Sequence, residues 1–105
     1  MRIIVLLNLK PDVTAADYEE WARTRDIPGI RSLPSVDDLT VLRTTGLLGA
    51  EGKAPYDYVE IMEVADMTGF WTDIATEASR AVAKELVQWV AGPPVFMLTE
   101  EVSTV

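Results

Sequence analysis

A chain of 105 residues with 49% apolar and 25% charged side chains is sized and composed for one globular domain, residues 1–105, rather than a disordered or fibrous protein. Nine Lys and Arg against seventeen Asp and Glu leave a net charge of −8, which repels nucleic-acid backbones and anionic lipid surfaces. Cys and His are both absent, which removes disulfides, thiol nucleophiles, imidazole bases and nearly every zinc, copper or haem site.

The first apolar run, Ile3-Ile4-Val5-Leu6-Leu7, is broken by Asn8 and Lys10. It is too short for a secretory signal and lacks a cleavage site, and no run approaches the roughly 18 to 20 apolar residues of a membrane span. A cytoplasmic location is therefore expected. The run reads instead as a strand over 2–9, apolar on both faces and hence central in a sheet. Thr14 with Asp17 approximates a capping box, and Val13 with Tyr18 a hydrophobic staple, so a helix starts there. Tyr18, Trp21, Ala22 and Arg25 lie on one stripe of it. Asp26-Ile27-Pro28 is expected to interrupt the helix, because Pro28 removes a backbone donor and disfavours helical geometry at Ile27. A short extra turn over 28–33 follows, and Pro34-Ser35 releases the chain.

A second strand over 38–45 places Leu39, Val41 and Arg43 on one face and Thr40, Leu42 and Thr44 on the other. The loop over 46–55 holds three glycines but joins strand to strand, whereas a dinucleotide loop opens a helix; it reads as a hairpin connection. The third strand, over 56–64, alternates Tyr58, Glu60 and Met62 with Val59, Ile61 and Glu63. Asp66 caps a second helix whose apolar residues Phe70, Trp71, Ile74, Ala78, Val82, Leu86 and Trp89 recur every three or four positions. Asp73, Glu77, Arg80 and Lys84 form its solvated side. Gly92 and Pro93-Pro94 stop it, a last strand covers 95–99, and the tail from about 101 reads as loose.

Strand, helix, strand, written twice, defines an α+β, ferredoxin-like βαββαβ fold: a four-stranded antiparallel sheet with two helices on one face. The other face is left for a second copy of the chain, so a homodimer is expected.

Several stretches carry a family resemblance: Trp21-Ala-Arg-Thr-Arg-Asp-Ile-Pro28, Leu33-Pro-Ser-Val36, Arg43-Thr-Thr-Gly46, Pro55-Tyr-Asp-Tyr-Val-Glu60 and the aromatic start of the second helix. Together they resemble the RedY-like (HapK-type) proteins of the dimeric α/β-barrel superfamily, over residues 1–100. The resemblance implies a homodimer with facing sheets and a place in prodiginine (prodigiosin-type) or bisindole biosynthesis. It also implies kinship with cofactor-independent monooxygenases, muconolactone isomerases and cyclases, which use a pocket between sheet and helices. The His that several of those relatives use has no counterpart here, so their mechanisms do not carry over.

Asn8, Arg43, Tyr58 and Glu60 are polar groups in otherwise apolar strands, and burying such groups is costly unless they are paired. They are the leading pocket candidates; the plainer alternative is a cross-strand Arg43–Glu60 ion pair or a wet sheet edge. A carboxyl near apolar surface is the natural proton carrier, which selects Glu60 first and Asp26 second. Arg43 or Arg25 would stabilise a developing anion, and Tyr58 or Asn8 would donate a hydrogen bond to it. The plainer role of Asp26 is to cap the turn at Pro28. Trp21 and Trp71 offer flat walls for a planar ligand, although aromatic residues in helix stripes are usually core.

The candidate catalytic set is thus Glu60, Arg43 and Asp26, and the candidate substrate-binding set Asn8, Trp21, Arg25, Tyr58 and Trp71. No acidic cluster has metal-binding spacing, and no cofactor is expected. The reading is a small cofactor-independent enzyme that binds a reactive aromatic, pyrrole- or indole-like intermediate and steers proton transfer, cyclisation or coupling. A carrier that shields the same intermediate, and a structural partner of a pathway enzyme, both stay open.

Overall fold

Alternation of side chains sets the sheet. In the computed structural model, which describes residues 1–103, β1 (Arg2–Leu7) turns Ile3, Val5 and Leu7 inward, and β3 (Tyr58–Val64) does the same with Tyr58, Glu60, Met62 and Val64. Thr104 and Val105, the end of the tail expected to be loose, lie outside the described residues. With β2 (Val36–Arg43) and β4 (Val95–Leu98) the sheet has the order β2-β3-β1-β4, every pair antiparallel. This is the ferredoxin-like arrangement, with β1 central as its apolar faces demand.

The first helical stretch differs from expectation at Pro28. The chain does not leave the helix: α1 (Ala15–Trp21) runs through a π-helical turn (Ala22–Asp26) into α2 (Ile27–Arg31). The Ile27 N–H reaches back five residues to the Ala22 carbonyl. This wider turn accommodates the missing donor and the ring of Pro28, which in an unbroken α-helix would clash with the carbonyl four residues earlier. Thr14 caps α1 as the sequence indicates, its hydroxyl accepting from the Asp17 N–H at 3.1 Å.

The second helix is two helices, α3 (Met67–Ile74) and α4 (Glu77–Val87). Asp66 caps the first, accepting from the Thr68 N–H at 3.1 Å. At the break, the Thr76 and Ser79 hydroxyls both donate to the Asp73 carbonyl and take it out of the helical ladder, and Thr76 becomes the cap of α4. Asp73 is not solvated: its carboxylate accepts from the backbone N–H and hydroxyl of buried Ser35 at 3.0 and 2.6 Å.

All helices cover one sheet face and enclose two apolar clusters. One gathers Ile3, Val5, Val36, Leu39, Met62, Val64 and Phe70; the other gathers Leu7, Tyr18, Trp21, Ala22, Tyr58 and Val90. The opposite face carries half-buried Ile4, Leu6, Val59 and Ile61, and exposed Leu42, Val95 and Met97. Among the described residues no helix is long and apolar enough to cross a membrane.

Candidate active site

Glu60 sits at the seam between the two clusters. On β3 it lies between Tyr58, which belongs to one, and Met62, which belongs to the other, and its cross-strand partners are Val5 and Val41. Its residue exposure is 5%. The alternative of an ion pair with Arg43 does not form, because Arg43 is two pairs further along β2, opposite Tyr58, and binds Glu19 instead.

The partner of Glu60 is Asp26, itself 6% exposed. Asp26 does not cap the turn at Pro28: its side chain makes no capping hydrogen bond, and at eight residues from Tyr18 and four from Ala22 it lies on the same buried stripe as both. The two carboxyls share a hydrogen bond. Burial pushes both above the ordinary carboxyl range, and the neighbouring Asp26 charge pushes Glu60 further. The two titrate together, so the proton they hold belongs to the pair rather than to either residue.

Among the described residues, two buried polar atoms at this seam have no hydrogen-bond partner: Oδ2 of Asp26 and the phenol oxygen of Tyr18. Tyr18 is fully buried, and burial, followed by the charges of Glu60 and Asp26, raises its pKa so that it remains a donor. Two coupled carboxyls of raised proton affinity and an uncommitted phenol thus stand together, groups of the kind used in acid–base catalysis.

A second polar group adjoins the first through Tyr18 and Tyr58, whose ring centroids are 4.7 Å apart. Its centre is Glu19, a residue that the sequence alone does not single out. The Glu19 carboxylate accepts from the Tyr58 hydroxyl at 2.6 Å, from Nε and Nη2 of Arg43 at 2.7 and 2.8 Å, and from Arg23 at 3.2 Å. Arg43 and Tyr58 hold its pKa down at about 2, while burial and the Glu19 charge push Tyr58 up to about 12. The only local signal of this role is Arg23 four residues after Glu19; the Arg43 and Tyr58 partners come from distant strands.

Glu19, Arg43, Tyr58, Val41, Ala22 and Ile27 line a cleft of about 190 Å³. Val41 is the cross-strand partner of Glu60, and Ala22 and Ile27 flank the turn that carries Asp26, so the cleft opens beside the carboxyl pair. Of the candidate residues, the structure brings Glu60 and Asp26 together, with Arg43 and Tyr58 alongside. Asn8 is elsewhere: its Oδ1 accepts from the Asp57 N–H at 2.9 Å and ties the β1 end to the strand-three entry. Trp21 packs in the aromatic cluster and donates to Glu85 at 2.8 Å, and Arg25 pairs with the same carboxylate. Trp71 is 63% exposed on α3 and takes no part. Among the described residues no group of three or more Asp or Glu is placed to hold a metal.

Fold and site together define a small ferredoxin-like α+β protein with a proton-sharing carboxyl pair under its helices. The family model for the REDY-like protein HapK matches residues 1–102, and the chain belongs to that family. Among solved structures it is similar to HapK from Hahella chejuensis, at 21% identity and a TM-score of 0.72 over 100% of this chain and 98% of that one. It is also similar to a dimeric ferredoxin-like protein of unknown function from Thermobifida fusca, at 18% identity and a TM-score of 0.66 over 93% of this chain and 89% of that one. A third is a mutant form of SnoaB, a cofactor-independent oxygenase from Streptomyces nogalater, at 16% identity and a TM-score of 0.67 over 96% of this chain and 95% of that one. No curated protein matches the chain.

Proposed function

We propose that this chain is a homodimeric, cofactor-independent enzyme of secondary-metabolite biosynthesis that moves protons on a reactive aromatic intermediate of the pyrrole or indole kind. The observation that carries the reading is the Glu60–Asp26 pair: two buried carboxyls in contact serve no packing purpose that a Leu or Met would not serve better. Asp26 takes a proton from an acidic carbon or nitrogen, Glu60 returns one elsewhere on the same molecule, and the Tyr18 phenol donates to the oxygen on which negative charge develops. Protons alone are transferred, so the step balances without oxidant or reductant and results in isomerisation or ring closure.

Family membership supports a biosynthetic setting, and the likeness to a cofactor-independent oxygenase is in keeping with catalysis by side chains alone. The apolar outer sheet face and the likeness to a dimeric protein support the homodimer. A carrier that shields the intermediate is the second reading, favoured by the burial of Asp26 and Glu60, which leaves their reactive atoms covered in this state.

The test is solvent-deuterium incorporation into a bipyrrole and an indole carbonyl compound, followed by mass spectrometry. Catalysis requires faster incorporation with the protein than without it, and loss of the acceleration in Glu60→Gln and Asp26→Asn. Tight binding with unchanged incorporation would establish the carrier instead.

A further inference from the structure

A second cleft, of about 390 Å³, adjoins the first and shares Arg43 and Tyr58 with it. Its rim holds Lys10, from the connection after β1, and Lys53, from the connection before β3. Gly52, with φ at +101°, turns the chain immediately before Lys53 in the left-handed region that favours glycine.

The charge arrangement is unusual for this chain. It carries a net charge of −8 and only three lysines, yet two of them face one cleft together with Arg43, against the single carboxylate of Asp57. That carboxylate already accepts from the Leu9 N–H at 2.8 Å, and Arg43 is held by Glu19. Neither Lys10 nor Lys53 has an ion-pair partner among the described residues, whereas every arginine but Arg80 has one. Leu9, Pro11 and Val13 give the same cleft an apolar part beside Tyr58 and the two lysines in its lining. The space lies within the range that encloses a small organic ligand.

We propose that this cleft binds an aromatic carboxylate, its anionic group held between Lys10 and Lys53 and its ring lying on the Leu9, Pro11 and Val13 wall with the far edge towards Tyr58. The aromatic part rests on the function proposed above; the carboxylate is read from the lysines. Two ammonium groups that line one cleft repel each other, and an anion bound with both offsets that repulsion while forming charge-assisted hydrogen bonds. The cations also draw such a ligand to one side of a protein whose overall field repels it.

The test compares indole-3-carboxylate with its neutral amide, indole-3-carboxamide, by isothermal titration with the full chain. The carboxylate is expected to bind about tenfold more tightly, the difference shrinking as ionic strength rises from about 0.01 to about 1 M. The double variant Lys10→Met, Lys53→Met keeps most of both side-chain stems and should bind the two compounds equally, whereas Lys84→Met should keep the preference. Equal binding of acid and amide by the unmodified chain, or a preference that survives in the double variant or at high salt, would overturn the proposal. Glu60→Gln separates the two readings: if it keeps both full deuterium incorporation and the carboxylate preference, the catalytic proposal falls and this one stands.

Discussion

The Glu60 carboxyl meets the Asp26 carboxyl with no arginine or lysine among the described residues acting on either, the arginine of that strand pair, Arg43, being bound to Glu19 instead. Folding thus raises the proton affinity of both groups. Their stabilising share is fully present below the ordinary carboxyl range and is lost as pH climbs through the raised values. Glu60→Gln keeps the shape and removes the charge, so at pH 8 it should be more stable than the unmodified chain by about 1 to 3 kcal/mol and at pH 4 nearly equal. Urea midpoints across that range check both sign and window; equal pH profiles for the two proteins would refute it.

Glu19 works in the opposite direction. Its pKa is lowered in the fold to about 2, so its contribution exists above the usual carboxyl value and disappears as pH falls towards 2. Tyr58→Phe deletes one of its donors and should cost about 1 kcal/mol at neutral pH while shifting the acid-unfolding limb to higher pH. Thermal melts between pH 2 and pH 7 report both effects.

Gly69 lies inside α3, where alanine is normally favoured. Here a Cβ would stand 2.6 Å from Asp66 Oδ2, forcing the capping carboxylate off the Thr68 N–H. Gly69→Ala is expected to lose about 1 kcal/mol instead of gaining it. A gain in the melting temperature would show that the cap re-forms.

The outer sheet face predicts association. Ile61 points away from the helices, opposite Ile4 on β1 and Thr40 on β2. Ile61→Asp should convert a dimer at micromolar concentration into a folded monomer, read by sedimentation equilibrium and circular dichroism. A monomeric unmodified chain would remove the dimer from the proposal.

The strands and their facing were legible because a period of two leaves few choices: Leu39 and Val41 inward, Leu42 outward, Tyr58 and Glu60 on the helix side. Caps at Thr14 and Asp66 were equally local. The break at Ala75 was hidden because Ile74, Ala78 and Val82 keep helical spacing across it, although Thr76 with Ser79 carried its signal. Glu19 escaped notice because its partners Arg43 and Tyr58 are brought to it only by tertiary folding. Asp26 stands in the sequence as the second proton carrier, with a cap as its plainer role; the cap follows from the Pro28 rule, which anticipates a helix end, and a wide turn satisfies Pro28 without one.

That wide turn separates what the proline needs from what the acid needs. An α-helix advances about 100° per residue and comes back to the same face after seven or eight residues, so removing one of residues 22–25 would leave Asp26 on the stripe of Tyr18, seven residues on instead of eight, and would set Pro28 against a carbonyl it now avoids. The same amino acids in the same order, one shorter, would keep the acid facing Glu60 and place the strain at the proline.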